Sequence, residues 1–209
     1  MSEYKDYGYH NSLPDHSHAY LLHPILSILD PKKNASILDL GCGNGSFANE
    51  LLKKGYHVYG TDGSEDGVRY GNQLHPGRFF VQDLSSDQLP TELRNIKFDT
   101  IITTEVIEHL YDPKAFIRFA KAILQQNGGG ELIISTPYHG FLKNLALALT
   151  NSWSQHLDPL WDGGHIKFWS RKSLGLLLSR EGFIVTGFKG CGRFPYLWKS
   201  MVVTAKLVS

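Results

Sequence analysis

The sequence has few cysteines, no long apolar run and no excess of one charge. Cys42 and Cys191 are its only two cysteines, too few for a disulfide framework and too far apart for a CxxC metal site. No apolar run approaches the roughly 18 residues that a membrane-spanning helix requires. Lysine and arginine number 21 against 20 aspartates and glutamates, so the charge offers no electrostatic support for nucleic-acid binding. We therefore expect no nucleic-acid partner and no transmembrane segment.

The composition is that of an ordinary folded domain. The 209 residues are 42% hydrophobic and 20% charged, which excludes a disordered chain, and the length fits one domain with a sizeable core. No repeat or linker divides the chain, so residues 1–209 are predicted to form a single domain. The first residues lack the basic-then-apolar order of a signal peptide, which predicts a cytoplasmic protein. The sequence leaves open whether the chain forms a homodimer.

Strand and helix patterns alternate from residue 36 onward. Predicted strands lie at 36–40, 57–61, 78–82, 98–104 and 131–135, and predicted helices at 46–54, 65–74 and 113–124. Near-continuous apolar strands separated by helices indicate a parallel sheet that is covered on both faces. A helix at 173–180 then precedes two strands, 183–188 and 199–207, too close together for a crossover. The pattern predicts a doubly wound α/β fold with a mostly parallel seven-stranded sheet and an antiparallel C-terminal hairpin.

A glycine-rich loop follows the first predicted strand, in the sequence Asp39-Leu40-Gly41-Cys42-Gly43-Asn44-Gly45-Ser46. Its glycines allow a tight turn and a close approach of a ligand to the backbone at the carboxyl end of the sheet. A dinucleotide-binding motif would place its third glycine or an alanine where Ser46 stands, which disfavours a nicotinamide cofactor. No Gly-Lys-Ser/Thr follows, so a P-loop is excluded.

This loop resembles the first motif of the class I S-adenosylmethionine-dependent methyltransferases. The resemblance implies a Rossmann-like methyltransferase fold, with Asp62 on the ribose hydroxyls of the cofactor and Asp83 near its adenine amino group. Carboxylates accept hydrogen bonds from such donors, and Asp39 could serve the cofactor's ammonium group. Cys42 is interpreted as a packing residue of the loop rather than a nucleophile. The implied cofactor-binding residues are Asp39, Gly41, Cys42, Gly43, Gly45, Asp62, Asp83, Leu84 and Glu105.

A second group of functional residue types follows the fourth predicted strand. If the segment is helical, Glu105, Glu108 and His109 stand at i, i+3 and i+4 and share one face. Together with His165, these carboxylates and imidazoles could hold a divalent cation such as Mg, Mn or Zn.

The same segment resembles the ubiquinone-biosynthesis O-methyltransferases and, more distantly, the small-RNA 3′-end methyltransferases. In both, a Glu-x-x-Glu-His with a distant histidine is associated with a metal that grips substrate hydroxyls. The resemblance thus implies a metal set of Glu105, Glu108, His109 and His165. The pattern also occurs in class I methyltransferases that use no metal, where the glutamate lines the cofactor pocket and the histidine acts as a base or packs locally. The catalytic candidates are His109, Glu108 and His165.

Two segments flank the predicted cofactor site. Residues 1–30 are predicted to form an N-terminal cap, with Pro24 as a boundary or kink in a helical segment. Residues 137–170 form an insert that is too long for a plain connection and includes an apolar helix candidate at 141–149. The insert holds the aromatic residues Tyr138, Trp153, Trp161 and Trp169. An insert at the carboxyl end of the sheet can cover a planar or lipophilic ligand, although the same side chains could instead form a satellite core, or contact a membrane surface or a partner subunit.

The sequence therefore predicts an S-adenosylmethionine-dependent methyltransferase that methylates an oxygen of a small aromatic or lipophilic acceptor. Two alternatives stay open. One is an NAD-dependent oxidoreductase on a Rossmann-like fold, and the other is a non-catalytic module that binds S-adenosylmethionine.

Overall fold

The computed structural model describes residues 8–157, 159–160 and 163–207. Residues 1–7 of the predicted cap and Trp161 of the predicted insert lie outside these ranges. No helix within them has the length and apolar character needed to cross a membrane.

In the described part of the chain, seven strands form one sheet in the order β3-β2-β1-β4-β5-β7-β6. The strands are β1 Ser36–Leu40, β2 His57–Asp62, β3 Phe79–Val81, β4 Thr100–Thr104, β5 Glu131–Pro137, β6 Phe183–Cys191 and β7 Ser200–Leu207. The first five pair in parallel, and β7 is antiparallel to both β5 and β6. The predicted parallel sheet with an antiparallel C-terminal pair is confirmed.

Helices cover both faces of this sheet. They are α1 His18–Leu26, α2 Ser46–Lys53, α3 Glu65–Leu74, α4 Pro113–Gln126, α5 Phe141–Leu149, α6 Trp153–Leu157 and α7 Arg171–Arg180, with a short 3-10 helix at Ile107–His109. Helix α1 continues through Pro24 and ends two residues later, with Leu21 and Ile25 buried beside the proline.

The core consists of two apolar layers, one on each face of the sheet. Leu38 belongs to the layer beneath α4 and α7, whereas its neighbour Ile37 belongs to the layer beneath α1, α2 and α3. Successive side chains of a strand point to opposite faces, so a strand covered on both sides must be apolar at every core position. This is why β1 reads as a continuous apolar run, interrupted only by the buried Asp39.

The parallel strands β1 to β5 all end at the same edge of the sheet. The glycine loop, the predicted acidic residues and the start of the insert follow these carboxyl ends directly. Parallel topology thus gathers segments that are up to about a hundred residues apart in the sequence at one edge.

Candidate active site

The glycine loop is held against β2 by backbone hydrogen bonds. The N–H groups of Gly41 and Cys42 both donate to the carbonyl oxygen of Thr61, at 2.8 and 3.0 Å. Gly41, Gly43 and Gly45 have φ angles of 81°, 56° and 70°, in the left-handed region that glycine adopts without strain. The conformation therefore depends on glycine at these three positions.

Asp62, the last residue of β2, holds this loop in place by a hydrogen bond. Its Oδ2 accepts a hydrogen bond from the N–H of Gly43 at 2.8 Å, and its Oδ1 accepts one from the N–H of Ser64 at 2.8 Å. Asp83 follows β3, is exposed, and accepts a hydrogen bond from the N–H of Ser85 at 2.8 Å. The structure thus places Asp62 at the end of β2 and Asp83 just after the adjacent β3, at one edge of the sheet.

Asp39 is fully buried in β1. Neither carboxylate oxygen has a hydrogen-bond partner among the residues that the structure describes. Burial, reinforced by the nearby charge of Asp62, raises the pKa of Asp39 to about 8. Two neighbouring acids in a buried position favour a cationic group beside them and repel an anionic one.

Leu84 and Cys42 pack around the loop. A Cβ atom built on Gly41 would lie 3.3 Å from Cδ1 of Leu84, so this side chain borders the loop on the β3 side. Burial is the main cause that raises the pKa of the Cys42 thiol well above its usual range. The Cys42 sulfur lies against Gly60, as expected of a packing residue.

The N-terminal segment lies over the glycine loop. Asn44 donates hydrogen bonds from Nδ2 to the carbonyl oxygens of Asn11 and Leu13, at 3.0 and 2.9 Å. The Tyr9 ring lies so close to Gly43 that a side chain on Gly43 would collide with its hydroxyl group. His18 stacks on Phe47 with the ring centroids 5.2 Å apart. These contacts join the described part of the 1–30 segment to the loop.

The predicted shared helical face of Glu105, Glu108 and His109 is wrong. Glu105 has a φ angle of 54°, and the helical turn begins only at Ile107 and is a single 3-10 turn. The left-handed residue turns the chain sharply after β4. The Glu105 carboxylate accepts hydrogen bonds from the hydroxyl groups of Ser135 at 2.7 Å and Ser200 at 2.9 Å. Burial raises the pKa of Glu105 to about 7.

Glu108, His109 and His165 do meet. One ligand atom from each lies within 4.8 Å of the others. The insert is brought to this position because the N–H groups of Ile166 and Lys167 donate to the Glu108 carbonyl oxygen, at 2.9 and 3.0 Å. Three of the four predicted metal ligands are thus brought together, and Glu105 is not part of the group.

Glu108 is buried, and only one of its two carboxylate oxygens accepts a hydrogen bond from a described residue. Its Oε2 accepts from the Thr136 hydroxyl at 2.9 Å, while its Oε1 has no hydrogen-bond partner in the described ranges and lies 3.9 Å from Nε2 of His109. Burial, together with the charge of Glu105, raises the pKa of Glu108 well above its usual range.

The two histidines of this group are held neutral. Nδ1 of His109 lies 3.3 Å from the carbonyl oxygen of Gly164, a geometry in which Nδ1 carries the hydrogen and Nε2 the lone pair. Burial lowers the pKa of His109 and lowers that of His165 to about 4. Their rings contact each other at a centroid distance of 5.0 Å.

Two further histidines continue the cluster and were not singled out from the sequence. His156 lies 6.5 Å from His165 and 5.2 Å from His139, ring centroid to ring centroid. His139 is also stacked on Trp153 at 6.2 Å and contacts Phe168 at 5.1 Å. The one available signal for His139 is its position just after β5, at the same sheet edge as the other site residues.

The fold and the glycine loop are those of a Rossmann-like methyltransferase domain. The structure is similar to that of the magnesium protoporphyrin IX methyltransferase from Synechocystis PCC 6803 with bound SAH, with a TM-score of 0.65, 23% identity and coverage of 90% of this chain and 82% of that one. It is also similar to a SAM-dependent methyltransferase from Aquifex aeolicus, with a TM-score of 0.62, 18% identity and coverage of 93% and 94%. At these identities, the likeness establishes the fold.

A family model described as a methyltransferase domain matches residues 15–186. The chain belongs to this methyltransferase family. The family prediction is confirmed, and it favours methyl transfer over the nicotinamide-dependent alternative.

Two curated relatives match 62% and 85% of this chain. A ubiquinone biosynthesis O-methyltransferase of Caulobacter sp. strain K31 is 30% identical over 145 residues, which are 62% of this chain and 56% of that protein. A protein of the same name from Cereibacter sphaeroides is 25% identical over 183 residues, with coverage of 85% and 71%. The chain thus spans little more than half the length of the first of these relatives.

Proposed function

We propose that this chain transfers the methyl group of S-adenosylmethionine to a hydroxyl oxygen of a small aromatic or lipophilic acceptor. The observation that carries the proposal is the pair of unpartnered carboxylate oxygens of the buried Asp39, beside a loop of three left-handed glycines. The names of the curated relatives support oxygen as the methylated atom.

The charges of the site fit this cofactor. S-adenosylmethionine carries a positive ammonium group and a positive sulfur, whereas a nicotinamide dinucleotide carries a negative pyrophosphate. A cation beside Asp39 would favour its ionised form and offset the burial and the charge of Asp62 that raise its pKa. We assign the amino-acid end of the cofactor to Asp39 and the glycine loop, the ribose to Asp62 and the adenine to Asp83 and Leu84.

His109 is the proposed general base. Its neutral imidazole, with Nδ1 directed at Gly164, presents Nε2 as the atom that accepts the proton of the acceptor hydroxyl. When bound, S-adenosylmethionine supplies a methyl group whose C–S electron pair stays with sulfur as the new O–C bond forms. The protein then has to hold the nucleophile and the methyl group in line.

Glu108, His109 and His165 also fit a divalent cation. One carboxylate and two imidazoles suit Mn or Zn better than Mg, and Oε1 of Glu108 and Nδ1 of His165 are unpartnered among the described side chains. Such a cation would lower the pKa of an acceptor hydroxyl in place of a base. Under the proposed base mechanism, methyl transfer persists after dialysis against EDTA. If EDTA abolishes methyl transfer and added Mn, Zn or Mg restores it, a cation and not a base would activate the acceptor hydroxyl.

The cheapest test of the proposed function compares two ligands by thermal shift. S-adenosylhomocysteine is expected to raise the melting temperature, because a ligand that binds only the folded state stabilises it, and NADH is expected to leave it unchanged. The reverse result would favour the oxidoreductase. Binding of the cofactor without methylation of any catechol or phenol would favour the non-catalytic module.

Two further expectations stay predictions. Gel-shift measurements test whether the protein lacks a nucleic-acid partner, and sedimentation measurements test whether it forms a homodimer.

A further inference from the structure

His139 and His156 each carry a buried ring nitrogen that the proposed chemistry does not use. The Nε2 atoms of both have no hydrogen-bond partner among the described residues, and His139 as a whole is only 5% exposed. Both residues lie outside the group of Glu108, His109 and His165. A buried polar atom without a partner is destabilising, so two such atoms on neighbouring rings indicate a shared ligand.

The surroundings of His139 hold its ring in the orientation of a metal ligand. Its backbone N–H donates to the carbonyl oxygen of Trp169 at 2.9 Å, and its Nδ1 lies 3.1 Å from Oδ1 of Asn144. With Nδ1 donating to that oxygen, the lone pair of His139 is at Nε2. A hydrogen bond from one ring nitrogen to an oxygen is the usual arrangement behind a histidine that binds a metal through its other nitrogen.

Helix α6 brings His156 to the same place. Trp153 and His156 are three residues apart in this helix and share one of its faces. The Trp153 ring stacks on His139 nearly in parallel, with the centroids 6.2 Å apart, and the His156 ring meets His139 edge to face. Phe168 contacts His139 at 5.1 Å. These aromatic rings surround the two histidines, which fixes the imidazoles and limits the access of water.

The separation of the two imidazoles fits a single shared ion. Their centroids are 5.2 Å apart, and the ring planes are inclined at 62°. Two imidazoles bound through Nε2 to one tetrahedral ion at about 2.0–2.1 Å would place their centroids about 5 Å apart. Burial is the main cause that lowers the pKa of His139 and that of His156 to about 4, so both rings are neutral at neutral pH and bind an ion without first losing a proton.

We infer that His139 and His156 form a binding site for a divalent transition-metal ion, separate from the group of Glu108, His109 and His165. A pair of imidazoles favours Zn, Cu, Ni or Co over Mg or Ca. Water or another small ligand fills the remaining coordination positions. Because His139 follows β5 and His156 lies in α6, the ion holds the insert against the end of the sheet.

Calorimetric titration with Zn tests this site in protein that has been dialysed against EDTA. His139→Gln and His156→Gln each remove one imidazole and keep a polar side chain. Each is expected to weaken one Zn-binding event at least about tenfold, since even the loss of a residue that only orients a ligand has such an effect. His23→Gln, at an exposed position, is the matched control and is expected to bind Zn like the unaltered protein.

Two results of this titration overturn the inference. One is the absence of Zn binding to the unaltered protein. The other is unchanged Zn binding in both glutamine variants together with its loss in His109→Ala, because the ion then belongs to the group of Glu108, His109 and His165. If His139→Gln does not fold, the variant His156→Gln, at a half-buried position, decides the question.

Electron paramagnetic resonance with Cu(II) counts the nitrogen ligands of the ion. The His109→Ala protein, which lacks one ligand of the other group, is loaded with less than one equivalent of Cu(II). The spectrum is expected to show splitting from two imidazole nitrogens, and adding either His139→Gln or His156→Gln is expected to leave one. A splitting pattern that neither substitution changes places the copper elsewhere and overturns the inference.

Proteolysis measures what the ion does to the insert. Zn is expected to slow cleavage within residues 141–157 at least about fivefold, because a ligand that binds only the closed form stabilises it against opening. His156→Gln should abolish this protection, and His23→Gln should keep it. Equal protection of His156→Gln and the unaltered protein by Zn overturns the inference.

Discussion

The Oδ2 atom of Asp62 accepts a hydrogen bond of 2.8 Å from the N–H of Gly43. This bond joins the acid at the end of β2 to the middle of the loop that follows β1. The proposed ribose-binding and amino-acid-binding parts of the cofactor site therefore form one unit, and a disturbance of the loop should reach both.

Gly43→Ala is expected to weaken binding of S-adenosylhomocysteine at least about tenfold in calorimetry. The added Cβ would collide with the Tyr9 hydroxyl group and disturb the contact to Asp62. Gly77→Ala is the matched control: Gly77 is also left-handed, at a φ of 74°, but a Cβ there meets nothing within 4 Å. Both substitutions should cost about 1 kcal/mol of backbone strain, so equal cofactor affinities in the two variants would show that the loop does not contact the cofactor.

Asn44→Asp is expected to detach the N-terminal segment from the loop. Aspartate keeps the oxygen that accepts from the N–H of Ser46, but it replaces the NH₂ group that donates to Asn11 and Leu13. A negative oxygen would then face two carbonyl oxygens. We expect faster proteolysis within residues 8–18 and dissociation of S-adenosylhomocysteine about tenfold faster in stopped-flow measurements. Asn95→Asp, at an exposed position, controls for the added charge, and unchanged dissociation from Asn44→Asp would remove the segment's role as a cap.

Asp39→Asn is expected to change how the stability of the ligand-free protein depends on pH. The pKa of Asp39 is raised to about 8 in the folded state, so between about pH 4 and pH 8 the folded protein holds a proton that the unfolded chain has lost. Raising the pH through this window therefore lowers the free energy of unfolding, by up to about 1.4 kcal/mol per pH unit, and the variant lacks this contribution because an amide does not titrate.

Urea titrations at several pH values measure this difference. The stability of the unaltered protein relative to the variant should fall from pH 4 to pH 8 and then level off. Asp87→Asn removes an exposed aspartate and checks that loss of a surface charge does not reproduce the effect. A constant difference across the window would contradict the raised pKa of Asp39.

His109→Ala is expected to lower kcat between about 100-fold and 10,000-fold, the usual contribution of a general base, and to leave the affinity for S-adenosylhomocysteine unchanged. Burial lowers the pKa of His109 below 6.5, so the unaltered enzyme should lose activity only as the pH falls below that value, where the imidazole becomes protonated. The exposed His23 provides the control variant His23→Ala. Normal turnover by His109→Ala, or loss of its binding to S-adenosylhomocysteine, would contradict the assignment of His109 as the general base.

The regular part of the fold could be read from the sequence because each strand carries its own signal. The doubly covered strands are apolar at nearly every position, and the glycine loop stands between β1 and α2 as predicted. Boundaries were less accurate: β6 extends to Cys191, three residues beyond the prediction, because β7 pairs with it over that length.

The segment after β4 was harder to predict because its conformation depends on distant partners. Helical spacing of Glu105, Glu108 and His109 was a reasonable local pattern. Tertiary hydrogen bonds from Ser135 and Ser200 instead hold Glu105 in a left-handed conformation that its own residue type disfavours. Hydroxyl groups from strands 30 and 95 residues away carry no signal in the local sequence.

The sequence by itself determined the layered α/β fold, the glycine loop and the acids near the ends of β1 and β2, because hydrophobic periodicity and glycine spacing are local properties of the chain. Only the tertiary structure decided which side chains of the insert join them. The hydrogen bonds from Ile166 and Lys167 to Glu108 bring His165 into the site, and the packing of α5 buries Lys143. Burial arises from the sum of many distant contacts, so it becomes visible only when the chain is folded.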